Sequence, residues 1–126
     1  MELNKYIPGD LAMINGDIVK IMAVCFNYNL NIIQNYDVMF SNGNIYKYEA
    51  ESLKELPLTP EILEKNGWKK DDATWIFKKG NIRIFILLDD ETYAVYLLGV
   101  RVLEFHFVHE LQHLLFGLGI NNNMEV

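Results

Sequence analysis

The chain has 126 residues, 51% of them hydrophobic and 22% charged, which suits one domain or two small modules sharing a core and excludes a disordered protein. No apolar run approaches the ~20 residues of a membrane-spanning helix, and the opening MELNKYIPGD has neither the basic nor the apolar region of a secretory signal. The formal charge of −6 is spread, with seven acidic and four basic side chains in residues 1–56 and ten and seven in residues 57–126, so nucleic acid is not an expected partner.

Pro8-Gly9-Asp10 reads as a turn, Leu11 to Ile14 as a short strand, and Asn15-Gly16-Asp17 as a tight hairpin signal. Ile18 to Phe26 follows as a strand with Cys25 as a core residue inside an apolar run. That lone cysteine has no intrachain disulfide partner, which fits a reducing cytoplasm. After a polar loop at Asn27 to Asn31, Asn35 to Phe40 and Asn44 to Ala50 are strands joined at Ser41-Asn42-Gly43. About five short strands in so short a stretch predict a small barrel. The PGD and NGDIVKI opening, the hairpin Val38 to Gly43 and the following Leu53 resemble the small barrels of the KOW and Tudor type. That resemblance implies a fold and no activity, because such barrels serve RNA, methylated peptides or plain scaffolding. Tyr28, Tyr36, Tyr46 and Tyr48 are candidates for the aromatic cage of the peptide-reading members, but read more simply as half-buried strand tyrosines.

Leu56-Pro57-Leu58-Thr59-Pro60 carries two of the three prolines and marks a boundary. Thr59-Pro60-Glu61 then opens a helix, with a hydroxyl N-cap, proline at the first helical position and an acid in the first turn, and Gly67 ends it. Lys69-Lys70, running into Asp71-Asp72, reads as a solvated turn. Thr74 to Lys78, Ile82 to Leu88 and Tyr93 to Val102 read as three strands separated by Lys79-Gly80-Asn81 and Asp89-Asp90-Glu91. The acidic run could hold a divalent cation, but reads more simply as a solvated turn. From Glu104 to Leu118 the spacing turns helical, with Phe107, Val108, Leu111, Leu114, Leu115 and Leu118 on one apolar stripe.

All three histidines, His106, His109 and His113, fall in this last segment, and residues 109–113 spell His-Glu-Leu-Gln-His. In zinc peptidases that spacing brings two imidazoles to one ion while the glutamate serves as general base toward the metal-bound water. Here the metal ligands would be His109 and His113 and the base Glu110. The extended motif would need glycine at 116 and histidine at 119, where the chain has Phe116 and Gly119, and Glu125 is the one acid after His113. Glu104, Asp89 or Asp90 would be an unusual upstream third ligand, and seven helical residues put His106 about 10 Å from His113. At about 100° per residue the histidines cluster opposite the apolar stripe. There they read as a solvated face paired with Glu110, or as an interface built from Phe105, His106, His109 and Phe116.

The segments PLTPEILEKNGW and FVHELQHLLFGLGI, with the strands between them, resemble a family of small proteins from the genomes and mobile elements of gut Bacteroidetes. The family's closing motif reads Y-V-H-Q-L-Q-N-L-Y-F-A-L-T-G, and Val108, His109, Leu111, Gln112, Leu114, Phe116 and Leu118 match it in place. Its glutamine and asparagine fall at Glu110 and His113, which implies that the zinc-like pattern arose on a structural helix. The chain is accordingly expected to be an α+β protein. A small barrel-like module at residues 1–56 would precede a helix–three antiparallel strands–helix module at residues 57–126, the two packed as one unit. The expected role is an intracellular accessory or interaction protein of a mobile element or phage-derived region. It would act without catalysis or cofactor, on a protein partner or a second copy, away from membranes. The alternative is a zinc-dependent hydrolase.

Overall fold

A computed structural model of the chain describes residues 5–71, 74, 76–87 and 92–126. In chain order its strands are β1 (Leu11–Ile14), β2 (Asp17–Asn27), β3 (Ile32–Met39), β4 (Ile45–Glu49) and β5 (Lys54–Glu55). Helix α1 (Pro60–Lys65) follows, then β6 (Lys69–Lys70), β7 (Ile76–Lys79), β8 (Ile82–Leu87), β9 (Thr92–Leu97), β10 (Val100–Phe105) and helix α2 (Val108–Gly117). The strands form two antiparallel five-stranded sheets, ordered β4-β3-β2-β1-β5 and β10-β9-β8-β7-β6.

This architecture corrects the expected α+β class and the barrel. Strand makes up 49% of the molecule and helix 17%, and no barrel closes among the described residues, because β4 and β5 remain separate edges of an open sheet. The second sheet has five strands where three were expected. The run Tyr93 to Val102 is a hairpin, turned at Leu98 and Gly99, which both take positive φ, 52° and 81°. Its return strand β10 claims residues 103–105 for pairing with β9, which shortens the expected helix. Lys69 and Lys70 are an edge strand opposite Lys78 and Phe77, not a solvated turn. Trp75, Leu88 and the run Asp89-Asp90-Glu91 lie outside the described residues.

Two local expectations hold. Asn15 and Gly16, at φ 49° and 86°, make the two-residue turn between β1 and β2. Thr59 Oγ1 accepts a 3.3 Å hydrogen bond from the Ile62 N–H, with Pro60 opening α1. Cys25 is not a core residue: it is half-exposed, 3.4 Å from Lys47 Nζ. The four tyrosines disperse. Tyr36 is buried against Tyr6, Tyr28 is exposed beside Phe26, and Tyr46 and Tyr48 both pack on Phe40.

Two hydrophobic cores result, and β1 is common to both. Strand side chains alternate faces. Ala12 and Ile14 therefore point into a core with Tyr6, Val19, Ile21, Tyr36 and Val38, while Leu11 joins Phe77, Ile84, Val95, Phe105 and Leu111 in the other. The Pro57 boundary is bonded on both sides rather than free. The Leu58 N–H donates to the His106 carbonyl at 3.0 Å, the Val108 N–H to the Leu56 carbonyl at 2.9 Å, and the Tyr93 hydroxyl to the Leu58 carbonyl at 3.0 Å. Among the described residues no helix is long and apolar enough to cross a membrane.

Candidate functional site

Helix α2 begins where β10 stops pairing. The Phe107 backbone is extended, and Glu110 reaches back so that its Oε1 accepts the N–H groups of His106 and Phe107, each at 3.1 Å. An acid in the first turn also faces the positive end of the helix. Glu110, the general base of the hydrolase reading, is thereby engaged as the helix cap.

Val108, Leu111 and Leu115 are buried in the second core, as the apolar stripe predicts. The opposite face is covered at its centre. His109 and Gln112 are 6% and 0% exposed, because this face packs on β1 and the turn before it. In that turn Gly9 takes φ 97°, the Ile7 N–H donates to Asp10 Oδ2 at 2.9 Å, and the Gly9 N–H donates to the Ile21 carbonyl at 2.8 Å. Asp10 is thus held inward with 0% exposure, and His113 Nε2 lies 2.6 Å from its Oδ2.

Gln112 ties α2 to the first sheet most directly. Its Oε1 accepts the Leu11 N–H at 2.9 Å, and its Nε2 donates to the carbonyls of Gly9 at 2.9 Å and Asn122 at 3.1 Å. His109 lies between aromatic rings, 5.0 Å from Tyr6 and 6.1 Å from Phe107, with its Nδ1 buried and without a partner among the described residues. Burial pushes the His109 pKa down, whereas the hydrogen bond to Asp10 pushes that of His113 up.

The two imidazoles of the zinc-like pattern meet edge to face, with centroids 5.5 Å apart. Among the described residues, no group of three or more His, Cys, Asp or Glu side chains is arranged to hold a metal ion. His113 also lines an open cavity of about 460 Å³ with Glu104 and Glu110, and these carboxylates pair with Arg101 and the helix N-terminus. An imidazole oriented by a buried carboxylate is half of a general-base pair.

The residues expected to form an interface are divided by the structure. Phe105 is 0% exposed and stacked near Tyr93, and His109 is buried, which corrects their placement on a surface. His106 and Phe116 are exposed. Sequence reading had no role for Asp10 or Gln112 in this cluster. The turn signal at Pro8-Gly9-Asp10 was visible, but no local spacing links residue 10 to residue 113. Comparison with protein-family models, with curated proteins and with solved structures returned no match.

Proposed function

We propose that this chain is a non-enzymatic interaction protein that associates with a second copy of itself along β10. The observation that carries this reading is the exposure of Leu98, Val100 and Val102, at 77%, 64% and 45%, in succession along one hairpin. Among the described residues β10 is an edge strand bonded to β9 alone, so its outer backbone is available for another strand. Arg101 and Glu104 on that strand pair with each other, so the edge presents a neutralised pair to a second copy. The structural engagements of Glu110, Gln112 and His113 support a scaffolding role for the HELQH segment. The resemblance of the Pro57–Trp68 and Val108–Gly119 segments supports placing the chain among accessory proteins of a mobile element.

Sedimentation equilibrium over a concentration series tests the reading. The expected result is a mass rising from one chain to two, and a single-chain mass throughout for Val100→Lys. A single-chain mass at every concentration in the parent protein overturns self-association. Stoichiometric zinc in protein purified without a histidine tag, lost in His113→Asn, would overturn the scaffolding role.

A further inference from the structure

Lys20 projects from β2, opposite Leu11 and Met39 in the neighbouring strands. It is half-buried, and among the described residues it has neither an ion-pair nor a hydrogen-bond partner. A half-buried lysine covers its aliphatic stem and keeps its ammonium toward solvent, where an anion can meet it. Two cavities meet at this residue and at Asn123. One, of about 220 Å³, is apolar, lined by Pro8, Ile21, Met22 and Met39. The other, of about 550 Å³, is cationic, with Lys65 and Lys79 joining Lys20 and with Glu125 as its one carboxylate.

The wall of the cationic cavity is fixed. The Asn66 amide bonds the Glu125 backbone in both directions, each at 2.7 Å, and Met124 packs on the second core. Lys65 donates to the Val126 carbonyl at 2.8 Å and Lys79 to the Asn66 carbonyl at 3.0 Å. Each ammonium has three donors, so both keep donors for a ligand. Three lysines converge here in a chain whose net charge is −6.

We infer that these two cavities form one binding site for a small organic anion. Its phosphate or carboxylate lies among Lys20, Lys65 and Lys79, and an apolar group beside it enters the space between Pro8, Ile21, Met22 and Met39. Lys20 and Asn123 stand at the junction of the two halves, where one ligand must touch both. The site contains no residue of β10 and none of the three histidines, although Gln112 bonds the Gly9 and Asn122 carbonyls along its border.

Phenyl phosphate is the probe, followed through backbone amide resonances, with inorganic phosphate and phenol as its two halves and phenylacetate as the carboxylate counterpart. The expected result is saturable shifts at Ile21, Met22 and Asn123. Phenyl phosphate or phenylacetate should bind about tenfold or more tighter than either half, and Lys20→Gln should weaken it about tenfold. The exposed Lys54→Gln leaves the affinity unchanged. Equal affinity for inorganic phosphate, shifts spread over Lys47 and Lys54, absence of saturable binding, or an unchanged affinity in Lys20→Gln would each overturn the assignment. If circular dichroism shows that Lys20→Gln does not fold, Lys79→Gln gives the same discrimination.

Discussion

Gln112 satisfies three backbone groups from two distant parts of the chain while itself fully buried. Gln112→Leu keeps the volume but leaves the Leu11 N–H and two carbonyls without partners. Leaving buried polar groups unsatisfied costs about 1–3 kcal/mol, so the variant should lose about 3 kcal/mol of stability in urea denaturation. The two neighbouring imidazoles set a pH dependence with opposing signs. His113 has its pKa raised by Asp10, so its contribution is complete below about 6.5 and is lost as pH rises through the raised value. His109 has its pKa lowered by burial, so its contribution is complete above about 6.5 and is lost as pH falls toward the lowered value. Asp10, Glu55 and Glu110 face His109 and counter part of that loss, while His113 adds to it. Stability measured from about pH 5 to about pH 8 should therefore decline at both ends. His109→Phe should flatten the acid side and His113→Gln the alkaline side. A profile unchanged by either variant would refute the assignment of the two limbs.

The turn at Asn15-Gly16, the cap at Thr59 and the apolar stripe of α2 were legible because their causes are local: a positive φ, a hydroxyl beside the first free N–H groups, a repeat of 3.6 residues. What escaped was decided by distant partners. Nothing between Tyr93 and Val102 signals a turn except Gly99, since Leu98 is an unusual residue for a left-handed conformation. Likewise, the polar face of α2 looked solvated because helical periodicity separates apolar from polar without showing that Asp10 waits across the polar side. The Glu110 engagement is an element-scale effect with its own test. Glu110→Ala removes the acceptor for the His106 and Phe107 N–H groups and should cost about 1 kcal/mol. Glu110→Gln keeps an acceptor there and should recover most of that loss in the same denaturation experiment. Equal losses in both variants would show that charge, not capping geometry, is what the position supplies.

At the scale of the whole molecule, β1 and α2 each present one face to either half, so the two sheets share their inner elements and leave their outer edges open. Several exposed apolar side chains lie at those edges, and Leu98 is the most exposed aliphatic one among the described residues. Its φ of 52° is a left-handed conformation and its side chain is 77% exposed, so neither backbone nor hydration favours leucine there. Left-handed backbone costs an ordinary residue about 1–2 kcal/mol, whereas asparagine tolerates it. Leu98→Asn should accordingly raise the stability of the isolated chain by about 1 kcal/mol, seen as a higher thermal midpoint in dilute solution. If the hairpin tip is part of the surface by which two copies associate, the same substitution should weaken that association in sedimentation. A gain in stability with a loss of association is the signature of a residue held against local preference by its partner. A gain in stability with association intact would detach Leu98 from the contact and leave Val100 and Val102 to carry it.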